Sequence, residues 1–219
     1  PPDHPSPSGD RLIARAFLEA FRRGGHEVTV ASQFRSRENR GDTARQVRLE
    51  GVGSRLAARL VRRYQEMAVG ERPQAWFTYH LYHKAPDFLG PPVCEALGLP
   101  YFVAEASHAP KQRQGPWAGW HARCADTIRQ ATRIIVINSD DRPCLVDLLG
   151  DESRLVTVPL FLDETRFAQT RSDRDAWTAR YGLDPDKRWI LSVGMMRPGR
   201  KVCLLYTSDA ADEGLGVDL

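Results

Sequence analysis

The chain lacks any stretch approaching the roughly 20 consecutive apolar residues that a membrane-spanning helix needs, and its 219 residues contain no internal repeat or low-complexity segment. No secretory leader is visible in the opening residues Pro1-Pro2-Asp3-His4, which also lack an initiator Met. The natural start is therefore expected to lie upstream. The four cysteines, Cys94, Cys124, Cys144 and Cys203, stand far apart and form no C-x-x-C pair. Such usage argues against a disulfide scaffold and against a zinc site, and it fits a reducing compartment, with the cytoplasm as the default. No G-x-G-x-x-G follows a predicted strand, which weighs against a nicotinamide enzyme. Nothing in the sequence reads as a nucleic-acid motif.

What is present is an ordinary globular composition, 42% hydrophobic and 27% charged, with helical and strand patterns in alternation. Leu12, Ile13, Ala16, Phe17, Ala20 and Phe21 recur at helical spacing, and Gly24-Gly25 supplies a stop. His26–Ser32 (HEVTVAS) reads as a strand. A basic helix is expected around Ser54–Met67, then a short buried strand at Ala75–Tyr79, a helix near Gly90–Leu97 and a strand at Tyr101–Ala106. Pro116–Ala131 reads as a longer helix, Arg133–Asn138 as a β-branched strand, and Ser139–Asp141 as caps for a helix whose first turn holds Pro143. Arg154–Val158 is one more strand, Ser172–Tyr181 a helix and Lys187–Val193 the start of another strand. Short apolar strands alternating with helices predict an α/β fold with a doubly wound parallel sheet, followed by the start of a second, truncated domain of the same kind. In such a fold a strand precedes the first helix, and here it is expected to lie upstream.

The tail is of another character. Cys203–Glu213 (CLLYTSDAADE), translated backwards, resembles an in-frame sequencing-library adapter, and Gly216–Leu219 resembles its outer end. Residues 202–219 are therefore expected to be non-native and are set aside from the fold. They carry four acids and no Lys or Arg, so the remainder holds 31 bases against 24 acids, a net charge of +7, where the whole chain has +3. A moderately basic surface suits an anionic substrate or weak peripheral attraction to the inner face of an anionic membrane.

Four stretches stand in a fixed order: Pro5–Asp10 (PSPSGD), Gly24–Val28 (GGHEV), Val158–Phe167 (VPLFLDETRF) and Ile190–Lys201. Together they resemble the family-4 type of nucleotide-sugar glycosyltransferases, enzymes with two Rossmann-like domains in the GT-B arrangement. The first is similar to the loop after the family's first strand, the second to its second-strand motif, the third to its interdomain signature and the fourth to the first strand and turn of the donor domain. There are departures. Leu160 and Phe161 stand where the signature usually has Asn-Gly, and Met195 where the donor turn usually has Arg. The resemblance implies an acceptor-binding domain over residues 1–157, a linker over 158–170 and the start of a donor domain over 171–201. It also implies a retaining, metal-independent transfer from a nucleotide-diphosphate sugar to a hydroxyl acceptor, with no separate cofactor. The donor domain's Glu-x7-Glu helix has no counterpart here, so the fragment is expected to be inactive alone.

Ligands in such folds lie at the carboxyl ends of the parallel strands, and departing phosphate charge is met by helix N-termini and basic side chains. Gly9 and Asp10, opening a helix, fit that role, and so do Arg197, Arg200 and Lys201 after the donor strand. His108 and Glu105 leave a strand at its carboxyl end, where the resemblance implies a catalytic His beside the reacting groups; imidazole titrates near neutrality and can move a proton. Tyr79, His80, His83 and Lys84 leave a neighbouring strand, and aromatics with His and Lys suit stacking on and hydrogen bonding to a sugar-like acceptor. No third ligand accompanies His80 and His83, so no metal is expected. Lys111–Trp120 reads as a solvated basic loop before a packed helix, with contact to an anionic or lipid-linked acceptor as its functional alternative. A non-catalytic carbohydrate- or partner-binding α/β module remains the competing account of the whole chain.

Overall fold

The computed structural model describes residue 2, residues 8–163 and residues 171–189. The chain divides into two compact units, Pro1–Asp163 and Glu164–Leu219. The first is built on four parallel strands, β1 (Trp76–Leu81), β2 (Tyr101–Ala106), β3 (Arg133–Val136) and β4 (Leu155–Thr157), lying side by side in that order. Its helices are α1 (Gly9–Arg23), α2 (Thr43–Glu66), α3 (Gly90–Leu97), α4 (Ala118–Gln130) and α5 (Arg142–Leu149). A parallel pair needs a crossover between its strands, and α3, α4 and α5 are those crossovers. The α/β class and all-parallel sheet expected from the sequence are what the first unit has.

The helices cover both faces of the sheet. Phe17 of α1 is buried against Phe77 and Tyr79, with ring centroids 5.2 and 5.9 Å apart. The alternate residues of β1 turn the other way, where Thr78 and Trp76 meet the Asp87 loop and α3. On α2, Ala57, Leu60 and Tyr64 recur at helical spacing and pack with Leu89 and Val93. On α4, Cys124 and Ile128 join Val103, Ile134 and Val136 in the sheet core.

Local chemistry sets the ends. Asp42 caps α2 by accepting from the Arg45 amide at 3.0 Å. Asp87 Oδ1 accepts from the Leu89 and Gly90 amides at 2.8 and 2.9 Å, while its Oδ2 accepts from Thr78 Oγ1 at 2.5 Å and from the Tyr101 hydroxyl at 2.9 Å. One carboxylate thus ties the start of α3 to β1 and β2. Burial, then the neighbouring Asp87 charge, pushes the Tyr101 phenol well above its ordinary range, so it stays a donor.

Two elements differ from expectation. His26–Ser32 is not a strand, because a ladder needs a neighbour for its amides and carbonyls and this segment has none among the described residues. Helix α2 begins at Thr43, eleven residues before the expected Ser54, and runs through Gly51 and Gly53. Those glycines read as breakers in sequence. Gly53 is there for proximity: a Cβ at this position would run into the Phe88 side chain.

In the second unit, α6 (Arg171–Tyr181) is followed by a turn in which the Lys187 amide reaches the Asp184 carbonyl at 3.4 Å. The Trp189 indole donates to the Asp184 carbonyl at 2.8 Å, and the Arg174 guanidinium lies 4.1 Å from the Trp189 ring. The expected strand from Lys187 falls mostly outside the described residues, as does the adapter-like tail. Among the described residues no helix is long and apolar enough to cross a membrane.

Candidate functional site

The carboxyl edges of β1 and β2 carry most of the predicted site. Their register pairs Tyr79 with Ala104 and Leu81 with Ala106, which sets His80 opposite Glu105. Both backbones are left-handed there, with φ of 66° at His80 and 55° at Glu105; no other non-glycine residue described has positive φ. Such a conformation costs a residue with a Cβ on the order of 1–3 kcal/mol. The strand before each residue is regular, so the strain is confined to the rim.

These two kinks gather four side chains. The Tyr79 hydroxyl donates to the Glu105 carboxylate, and burial, followed by that hydrogen bond, raises the phenol's pKa. His80 Nδ1 lies 3.6 Å from Asp10 Oδ2, and its ring stacks on Tyr82 at 4.8 Å with 24° between planes. Asp10 belongs to the first turn of α1, beside Gly9. A Cβ on Gly9 would meet nothing within 4 Å, and no side chain caps the helix at Ser8. The neighbouring Arg11 Nη1 is buried without a hydrogen-bond partner, a feature that sequence pattern does not reveal because Arg11 reads there as an ordinary helical arginine. Two carboxylates, an imidazole and a phenol on one rim form an array suited to hydroxyl groups.

His83, Lys84 and His108 belong to a second group. The Lys84 ammonium lies 4.3 Å from the Trp117 ring centroid, and His83 meets the edge of the same ring at 5.9 Å. His108, 6% exposed, packs on His121, 4% exposed, with centroids 4.6 Å apart. His121 belongs to α4, so the contact joins the loop after β2 to that helix. Burial, then His121, Arg113 and Arg129, lowers the His108 pKa to about 4. His121 is lowered by burial and Arg113, against a hydrogen bond to the Ala109 carbonyl, and His83 is lowered by burial, Lys84, His121 and Lys111. All three imidazoles are neutral at pH 7, and His83 Nε2, His108 Nδ1 and His121 Nε2 are buried without a partner. Among the described residues no group of three or more His, Cys, Asp or Glu side chains is placed to hold a metal ion.

A third segment braces this edge. Glu38, 2% exposed, accepts from the Arg40 and Gly41 amides, both at 2.7 Å. Burial alone would raise its carboxyl; those amides, with Gln46 and Trp117, hold it below the usual range. The Glu38 amide donates to the Lys84 carbonyl at 2.9 Å, the Trp117 indole donates to the Glu38 carbonyl at 3.3 Å, and Gln46 Nε2 donates to the Pro116 carbonyl at 3.0 Å. The Lys111–Trp120 stretch is therefore anchored at its Trp117 end, with Lys111 and Arg113 in a short helical turn. Arg197, Arg200 and Lys201 lie outside the described residues.

No family model, no curated protein and no solved structure matches this chain.

Proposed function

We propose that this chain is the acceptor-binding part of a nucleotide-sugar glycosyltransferase, which transfers a sugar from a nucleotide diphosphate to a hydroxyl acceptor. The observation that carries the reading is the strained pair His80 and Glu105, set side by side on adjacent parallel strands with Asp10 and Tyr79 around them. Backbone strain held at the ligand edge of an α/β sheet is characteristic of a site whose side chains must point where the regular strand would not send them. The ordered motifs of the sequence supply the reaction class.

In this reading Tyr79, His80 and Glu105 hold acceptor hydroxyls. Glu105 is the carboxylate that accepts from the phenol at this rim. The first-turn amides of α1, at Gly9 and Asp10, with Arg11, face the departing diphosphate, and Arg197, Arg200 and Lys201 approach it from the donor half. His83 and Lys84 extend the acceptor side toward Trp117. His108, packed on His121, acts as a neutral hydrogen-bonding group near this edge. The transfer retains configuration and needs no resident metal, and the enzyme works in the cytoplasm, at the inner face of the membrane where the acceptor is lipid-linked.

The test is turnover by the protein continued through its donor half, offered a panel of nucleotide sugars. Glu105→Gln is expected to lower kcat at least a hundredfold while leaving the thermal midpoint within a few degrees. Equal losses of turnover and stability would make Glu105 a structural residue. A reading frame that ends without a second α/β domain, together with no turnover of any nucleotide sugar, would overturn the reading in favour of a binding module.

A further inference from the structure

The segment before α2 makes a basic cavity that the acceptor reading does not use. Along residues 34–39 burial alternates: Phe34 and Ser36 are half-buried and Glu38 is buried, while Arg35, Arg37 and Asn39 are exposed. Arg45, in the first turn of α2, closes the group, and the four residues line a cavity of about 380 Å³. That volume lies at the lower end of the range for small-molecule sites. Among the described residues neither Arg37 nor Arg45 is paired with a carboxylate. Of the two acids in the chain from Arg35 to Arg45, Glu38 is buried and accepts from the Arg40 and Gly41 amides, and Asp42 accepts from the Arg45 amide.

The cavity wall is held in place. Glu38 is bonded to both the Lys84 and Trp117 segments, and Gly41, at φ 79°, lies so close to the Pro116 ring that a Cβ would collide with it. The same bonds connect the cavity wall to the Lys84 segment. Arg37 and Arg45 on one open concavity, with the planar amide of Asn39 beside them, suit the several anionic oxygens of a phosphate rather than a neutral sugar hydroxyl. A nucleic acid would need a track of cations and stacking aromatics rather than one localised cluster.

We infer that the cavity between Arg37, Asn39 and Arg45 binds a phosphate monoester, the anionic end of the acceptor. The word acceptor rests on the glycosyltransferase reading; the phosphate site does not. The phosphate reaches it either on a soluble sugar phosphate or as a lipid headgroup.

The experiment measures binding to the whole chain and to Arg37→Ala/Arg45→Ala, two exposed positions whose loss leaves circular dichroism unchanged. One arm titrates glucose 1-phosphate by calorimetry in 150 mM salt; a second floats the protein with phosphatidic acid vesicles, against phosphatidylcholine alone. Saturable binding in either arm, weakened at least tenfold in the double variant, upholds the site, and the arm that responds names the source. Binding that survives the double substitution, binding of single-stranded RNA alone, or no binding in either arm overturns it. Failure here leaves the effect of Glu105→Gln on turnover untouched, so the two readings fall separately.

Discussion

His80 and Glu105 face each other across β1 and β2, and each has left the extended region for positive φ at the last regular position before the strands end. Two adjacent kinks at one level turn the rim as a unit. Neither residue is glycine, although glycine would adopt this backbone without penalty. The side chains are kept against a conformational cost, and Asp10, Tyr79 and Tyr82 are what they meet.

That cost is measurable. His80→Gly relieves the left-handed strain while losing the Tyr82 stack and the half-exposed contact with Asp10, so stability is expected to be unchanged or higher by about 1 kcal/mol. His80→Val places a β-branched residue at φ 66° and is expected to cost at least about 2 kcal/mol. Urea unfolding of the two variants decides it. If glycine is the more destabilising of the pair, the backbone is not under strain at this position.

Asp87→Ala removes the acceptor for two amides, a threonine and the buried Tyr101 hydroxyl together. A buried donor left unpaired costs about 1–3 kcal/mol, and the freed helix start adds to it. The expected loss is about 3 kcal/mol, read as a lower denaturant midpoint at constant slope. A loss below about 1 kcal/mol would mean that water replaces the carboxylate.

Much of this fold was legible because its elements obey simple periods. Gly90–Leu97 and Tyr101–Ala106 stand where their patterns put them, the first opened by prolines and closed by Gly98 at φ 65°, the second a run of buried apolar residues. The first half of α2 was hidden because Gly51 and Gly53 look like breakers, and only the presence of Phe88 explains Gly53. His26–Ser32 alternates as a strand does, yet strand formation depends on a partner that local pattern cannot supply. The rim residues Tyr79, His80 and Glu105 were singled out for their place at the carboxyl ends of strands, and β1 and β2 bring them side by side there. The His108–His121 pair was not, since it joins a loop to a helix thirteen residues on, and nothing in spacing announces a ring contact.

That pair makes stability depend on pH. Burial holds His108 at about 4, and lowers His121 and His83, all beneath the roughly 6.5 of an unfolded histidine. The unfolded chain therefore binds more protons between pH 6.5 and 4, and stability falls as pH drops through that window. The charged groups acting on the pair are Arg113 and Arg129, with Lys84 and Lys111 beside His83, so among the described residues none of them is a carboxylate that would answer the new charge. For His108 alone the full loss is roughly 3 kcal/mol, from the separation of the two pKa values at 1.36 kcal/mol per unit. Above pH 7 the contribution is complete and flat. Denaturant midpoints measured from pH 7.5 to 4.5 are expected to fall steadily, and less steeply in His108→Gln, which cannot take up a proton. Parallel curves for the two proteins would show that acid acts elsewhere, and that the buried imidazoles exchange protons in the folded state as easily as in the unfolded one.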